Sequence, residues 1–247
     1  MIIVANWKAY VETTEKARTL FSRAKKIAPK TRVRIVLVPP APFLGMLAPK
    51  NKSSVAFGAQ DVSTMPGGAH TGESTAQSIA GAGASYVLVG HSERRARGES
   101  LADTAQKISH ALAHDLIPIL CVGERERDTE GKYLAFVREE ITAALTPLSP
   151  KDRGRVIIAY EPIWAIGKTA ADAISPMDLS EMILYIRKVL AEILPGKSSA
   201  RTKVLYGGSV EPANARQLAG SARIDGFLVG HASVEPAQFV ELVHAIS

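Results

Sequence analysis

A carboxylate directly follows an apolar, β-branched run in the second half of the chain. Residues 156–160 indicate a buried strand, and Glu161 comes next, followed by Pro162. Because proline disfavours the αR region for the residue before it, Glu161 is expected to be extended. Residues 163–167 are mostly apolar and end in glycine, which suits a loop that closes over a site and excludes water. Glu161 could therefore be a general base, or an ordinary solvated glutamate in a turn.

Polar residues and glycines also follow other apolar runs of the chain. In chain order they are Asn6, Lys8, His91, Glu93, Tyr206, Gly208, Ser209, Gly230 and His231. Singly each is a weak signal, since a lysine after a strand is often solvated and a Gly-Gly-Ser run can be a tight turn. Together they suit proton abstraction beside a carbonyl, with Glu161 as base and with His91 and Lys8 stabilising an enediolate. The glycine-rich turns near residues 208 and 230 could hold a phosphate through backbone N–H groups.

Eight short apolar runs must position these residues. They lie at 2–6, 34–38, 54–59, 86–90, 117–122, 156–160, 204–206 and 226–229. The segments between them include helical spacing, as in 17–27, 134–144 and 179–193. Alternating strands and helices predict a parallel sheet, and eight units in 247 residues favour a closed (β/α)8 barrel over an open doubly wound sheet. No Gly-x-Gly-x-x-Gly follows the first run. We expect one α/β domain over 1–247, with a ring of helices outside the barrel.

The composition of the chain limits the classes of protein to which it can belong. No apolar run approaches the ~18 residues of a membrane span, and 2–5 is too short for a signal-peptide core. The single cysteine, Cys121, excludes an internal disulfide and fits a reducing compartment, so we expect a cytoplasmic protein. The net charge of +6 favours anionic ligands, but scattered Lys and Arg argue against nucleic acid. No metal-ligand spacing or Gly-x-Ser-x-Gly elbow occurs.

Seven motifs along the chain resemble those of a known protein family. They are 6–8 (Asn-Trp-Lys), 58–62 (Gly-Ala-Gln-Asp-Val), 71–73 (Thr-Gly-Glu), 90–95 (Gly-His-Ser-Glu-Arg-Arg), 160–167 (Tyr-Glu-Pro-Ile-Trp-Ala-Ile-Gly), 206–210 (Tyr-Gly-Gly-Ser-Val) and 226–230 (Gly-Phe-Leu-Val-Gly). In this order they closely resemble the triosephosphate isomerase family over essentially the whole chain. The resemblance implies a TIM barrel that interconverts dihydroxyacetone phosphate and D-glyceraldehyde 3-phosphate, with no metal or organic cofactor.

The resemblance also implies residue roles. Glu161 would move a proton between two carbons, His91 would polarise the carbonyl, and Lys8 would stabilise negative charge. Asn6 would contact the substrate, while Glu93, Tyr206 and Gly208 would support the site. Backbone N–H groups of Gly167, Ser209, Gly230 and His231 would bind the phosphate, and the segment from Pro162 onward would be a lid. The loop 63–72 would insert into a partner subunit, which implies a homodimer.

Two features depart from the family pattern. Gly167 runs directly into Lys168, and residues 171–174 add length before Ser175, so the lid is remodelled. His231 stands where the family usually has glycine, and its ring either points to solvent or lies near the phosphate. Two alternatives remain at this point: a sugar-phosphate-binding protein without turnover, and another barrel isomerase or an aldolase, the last of which would need a Schiff-base lysine.

Overall fold

Eight parallel strands close into a barrel in the computed structural model, which describes residues 1–167, 173–194, 196 and 198–247. The strands are β1 (Ile2–Asn6), β2 (Arg34–Val38), β3 (Ala56–Ala59), β4 (Tyr86–Val89), β5 (Ile117–Val122), β6 (Ile157–Tyr160), β7 (Val204–Tyr206) and β8 (Gly226–Val229). Each strand pairs with the next along the chain, and β8 pairs with β1, where Ile3 faces Phe227. The predicted α/β fold, a closed (β/α)8 TIM barrel, is confirmed.

Helices follow the strands and surround the barrel. In the described residues they are α1 (Thr14–Ile27), α2 (Ala41–Leu47), α3 (Ala76–Gly81), α4 (Ser92–Arg95), α5 (Leu101–Ala113), α6 (Lys132–Leu145), α7 (Pro150–Arg153), α8 (Pro176–Ile193), α9 (Ser198–Arg201), α10 (Pro212–Ser221) and α11 (Pro236–Ala245). Ser175 caps the start of α8, because its side chain accepts a hydrogen bond from the Asp178 N–H. None of these helices has the length and apolar character needed to cross a membrane.

The core has two layers that follow from strand alternation. In β1, Ile2 and Val4 point into the barrel, while Ile3 and Ala5 face the helices. The interior layer is mostly aliphatic and fills the barrel, so the barrel is a packed core and not a pore. Fully burying one such aliphatic side chain stabilises the fold by about 1.5–3 kcal/mol. The strand ends therefore form a rigid base for the polar residues that follow them.

Candidate active site

A cavity of about 310 Å³ opens at the carboxyl ends of the strands. The predicted residues in its lining are Asn6, Lys8, His91, Glu161, Gly167, Gly208, Ser209, Gly230 and His231. Glu93 borders an adjoining cavity of about 250 Å³ that also contacts Lys8 and His91. Tyr206 lies buried at the end of β7, just before the turn that contributes Gly208. The barrel thus brings together side chains that are up to about 225 residues apart in sequence.

Glu161 and His91 form a buried pair in this cavity. Their side chains are 3% and 6% exposed, and Glu161 Oε1 lies 3.3 Å from His91 Nε2. The Asn6 amide Nδ2 lies 3.5 Å from the same ring nitrogen. The second carboxylate oxygen, Glu161 Oε2, is buried and has no hydrogen-bond partner within the described parts of the chain. One oxygen of Glu161 is therefore held beside the His91 ring in the lining of the cavity.

The hydrogen bonding of His91 assigns its tautomer. His91 Nδ1 accepts a hydrogen bond from the Glu93 N–H at 3.2 Å, as the N-cap of α4. A protonated imidazole has two donors, so a ring whose Nδ1 accepts is neutral and carries its hydrogen on Nε2. That N–H is on the side of the ring that faces Glu161. His91 can therefore donate a hydrogen bond to an oxygen in the cavity without adding a full charge.

Lys8 supplies the positive charge from a strained backbone. Its φ of 44° lies in the left-handed region that non-glycine residues rarely adopt. Two hydrogen bonds hold this conformation: the Lys8 N–H donates to Asn6 Oδ1 at 3.0 Å, and Gln60 Nε2 donates to the Lys8 carbonyl at 2.9 Å. Lys8 Nζ lies 2.7 Å from Glu93 Oε1. Partial burial acts to raise the pKa of Glu93, but the hydrogen bond and charge of Lys8 help to outweigh it and the net pKa is lowered.

Two glycines allow the close packing around Glu161. A Cβ on Gly207 would lie 2.7 Å from Glu161 Cγ, and a Cβ on Gly123 would lie 2.0 Å from the Glu161 carbonyl oxygen. Only glycine fits at either position without displacing its neighbour.

Cys121 lies next to this region inside the barrel and is fully buried. Burial, followed by the charge of Glu161, raises the pKa of its thiol, so Cys121 stays neutral and acts as a small core residue.

A polar cluster fixes the chain just after Glu161. Glu124 Oε1 accepts hydrogen bonds from the Tyr160 hydroxyl at 2.8 Å and from Trp164 Nε1 at 2.9 Å. Arg127 donates to the same oxygen at 3.3 Å and stacks on the Trp164 ring at 5.3 Å. The sequence alone assigned no role to Glu124 or Arg127. Their contacts anchor the first part of the predicted lid, whereas Lys168 lies outside the described residues.

The other end of the cavity is lined by the two glycine-rich turns. Ser209 Oγ donates to the Ala165 carbonyl at 2.9 Å, which ties the turn after β7 to the segment after Glu161. The exposed His231 ring packs edge-on against Tyr10, with centroids 5.9 Å apart and an interplanar angle of 81°. Tyr10 also lines the cavity, and sequence reasoning missed it. Across the described positions no cluster of His, Cys, Asp or Glu is arranged to hold a metal ion.

The chain is similar to known proteins over nearly its whole length. The family model for triosephosphate isomerase matches residues 1–246. A triosephosphate isomerase of Roseiflexus castenholzii is 41% identical over 252 residues, which cover 100% of this chain and 97% of that protein. The one from Symbiobacterium thermophilum is 39% identical, covering 99% and 96%. The one from Thermus thermophilus is 37% identical, covering 98% and 97%. Each match spans nearly the full length of both proteins.

Proposed function

Because the chain belongs to the triosephosphate isomerase family, we propose that Glu161, His91 and Lys8 carry out the family reaction in this protein. The reaction interconverts dihydroxyacetone phosphate and D-glyceraldehyde 3-phosphate, an aldose–ketose isomerisation. A proton leaves one carbon and a proton returns to its neighbour, while the two oxygens exchange their roles as hydroxyl and carbonyl. A base, a donor to the oxygens and a site for the phosphate are sufficient for this reaction.

Glu161 is the base in this proposal. Its carboxylate takes the proton from the carbon beside the carbonyl, which leaves an enediolate with negative charge on oxygen. The Nε2–H of neutral His91 donates to that oxygen, and the same group can pass protons between the two oxygens. The contact of 3.3 Å between Glu161 Oε1 and His91 Nε2 supports this division of roles, because it keeps both groups at one end of the cavity.

Lys8 and the glycine-rich turns bind the charged parts of the substrate. Lys8 Nζ adds a fixed positive charge that attracts the phosphate and the enediolate. The backbone N–H groups of Gly167, Ser209, Gly230 and His231 bind the phosphate, since backbone N–H groups in turns at strand ends form anion sites. Asn6 is close enough to His91 to contact the substrate oxygens as well.

The observation that carries the proposal is the buried pair of Glu161 and His91 in the cavity at the strand ends. We expect Glu161→Gln, which keeps the size but removes the proton acceptor, to lower kcat by about 10²–10⁴-fold with little change in KM. The measurement is a coupled assay on glyceraldehyde 3-phosphate. A variant that kept more than about a tenth of native kcat would refute the role of Glu161. A native protein that binds the substrate without turning it over would instead be a sugar-phosphate-binding protein.

A homodimer is the proposed assembly, with residues 63–72 as the contact. This loop has no helix or strand, and 65–73 are exposed. A cavity of about 590 Å³ lies beside its base, lined in part by Asp61, Arg94 and Lys107, and can accept a partner's loop. Docking on a partner would further order the exposed backbone at Gly67 and Gly68, where φ is positive. Deleting 64–69 should give a monomer by light scattering, and a native monomer at micromolar concentration would contradict the dimer.

The reaction and the single buried cysteine also support a place in cytoplasmic glycolysis and gluconeogenesis. Fractionation of cells that express a tagged copy of the chain tests this location, and recovery outside the cytoplasmic fraction would contradict it.

A further inference from the structure

Glu140 is a buried carboxylate that the proposed mechanism does not use. It lies on α6, is 2% exposed, and does not line the cavity. A carboxylate taken out of water is costly unless it is paired and hydrogen-bonded. Glu140 has both kinds of partner. Its Oε2 accepts a hydrogen bond from the Gly123 N–H at 2.7 Å, and its Oε1 lies 3.2 Å from Arg95 Nη1.

Arg95 extends this contact to two strand ends. The same Nη1 donates to the Gly90 carbonyl at 2.6 Å and to the Cys121 carbonyl at 2.7 Å. Gly90 follows β4 and directly precedes His91, while Cys121 belongs to β5. The pair of Glu140 and Arg95 therefore joins the ends of two neighbouring strands behind the cavity.

Gly123 transmits this contact to the proposed base. The main chains of residues 123 and 161 touch so closely that a Cβ on Gly123 would lie 2.0 Å from the Glu161 carbonyl oxygen. The Glu161 N–H also donates to the carbonyl of Val122 at 2.7 Å. Any displacement of Gly123 must therefore move the backbone from which the Glu161 side chain extends.

We propose that Glu140 is a positioning residue: by accepting the Gly123 N–H, it holds the end of β5 in the place that aligns Glu161 with the substrate carbon. This inference rests on the proposed function, because it concerns the alignment of the proposed base. Groups that support a reacting residue from behind fix its position to a fraction of an ångström.

The positioning depends on an acceptor oxygen and not on the charge of Glu140. The charged groups around Glu140 are Arg95 on α4, Glu124 after β5 and Glu161 after β6. Burial raises the pKa of Glu140 to about 7, so both the charged and the neutral form are present near neutral pH. Either form offers a carbonyl-type oxygen to Gly123, and so does the amide of a glutamine.

Three substitutions separate the acceptor from the charge. Glu140→Gln keeps the acceptor and removes the charge, whereas Glu140→Met keeps the approximate size and removes both. Glu140→Asp keeps the charge but withdraws the oxygen by about 1.5 Å, beyond hydrogen-bond range of Gly123. Glu139→Met, at the exposed neighbouring position on α6, is the matched control. Each protein is assayed for kcat and KM with glyceraldehyde 3-phosphate at several pH values.

We expect Glu140→Gln and Glu139→Met to stay within about twofold of native kcat, while Glu140→Met and Glu140→Asp lose about 10–100-fold with KM nearly unchanged. Native kcat in all Glu140 variants, or an equal loss in Gln and Asp, would overturn the proposal. If Glu140→Met does not fold, the comparison of Gln with Asp decides the question.

Amide hydrogen exchange at Glu161 provides a readout without turnover. We expect faster exchange in Glu140→Asp than in Glu140→Gln, and equal exchange would overturn the positioning role. A native protein that lacks isomerase activity would refute the proposed function and leave this exchange test intact.

Discussion

The stability of the Glu140→Gln variant, compared with that of native protein, should increase as the pH rises. Glu140 has a folded-state pKa of about 7, against an ordinary value of 4.5, because burial disfavours its charged form. The folded state therefore binds this proton more tightly than the unfolded state does. The resulting contribution to stability is present below about pH 4.5 and is lost as the pH rises through about 7. Glutamine has no such proton to lose.

The size of the effect follows from the two pKa values. At about 1.4 kcal/mol per pKa unit, the difference corresponds to about 3 kcal/mol, most of it lost between pH 5 and pH 8. We therefore expect the free energy of unfolding of Glu140→Gln, relative to native, to improve by about 2–3 kcal/mol over that range. The charge of Arg95 lowers the pKa of Glu140, and the pKa of about 7 already reflects this effect.

Urea denaturation followed by circular dichroism measures this difference. Native protein, Glu140→Gln and the exposed control Glu139→Gln are compared at pH 5 and pH 8. Protein concentration is held constant, because assembly contributes to apparent stability. The urea unfolding curve of Glu139→Gln should match that of native protein at both pH values. If the difference between Glu140→Gln and native were the same at both pH values, Glu140 would be ionised in the folded state across the range, and the burial argument would fail.

Two further predictions concern the cavity itself. Gly207→Ala should lower kcat by about tenfold or more, because its Cβ would push against Glu161 Cγ, whereas Gly220→Ala, with open space around it, should leave kcat unchanged. Equal kcat values for these two variants would show that Glu161 tolerates displacement. Inorganic phosphate should inhibit native protein more strongly than His231→Gly, because an imidazole beside the phosphate adds a hydrogen-bond donor that glycine lacks. Equal inhibition would leave His231 as a solvent-facing side chain beside Tyr10.

The apolar runs predicted the strands well, and the small differences have local causes. β4 was predicted to reach residue 90 but ends at Val89, because Gly90 turns away with a φ of 71°. β3 was predicted to begin at 54 but begins at Ala56, where pairing with Val36 starts. The hydrophobic pattern of a sequence indicates which residues are buried. The end of a strand depends instead on its hydrogen bonds to the neighbouring strand, and a single sequence does not show where those hydrogen bonds stop.

The cavity-lining residues were predictable because a barrel places all its strand ends on one face. The supporting contacts were harder to predict, because they come from helices whose orientation is set by packing. Glu140 nevertheless leaves a signal in the sequence. It lies on the apolar face of α6 that also carries Val137, Ile141 and Ala144. A charged residue at such a position interrupts the helical spacing of apolar residues. Because that face of the helix is buried, the charge requires an oppositely charged or hydrogen-bonding partner.

Several departures from ordinary folding rules lie in or near this cavity. Lys8 has a positive φ, Glu140 is a carboxylate in a helix core face, and Gly123 leaves no space for a side chain beside Glu161. Each feature has a cost when considered alone, and each is held by specific partners, as Asn6 holds Lys8. Since the aliphatic barrel interior supplies the stability, the strand ends can tolerate these costs. The strained and buried polar groups thus fix a proton acceptor and a positive charge within one small cavity, which the proposed isomerisation requires.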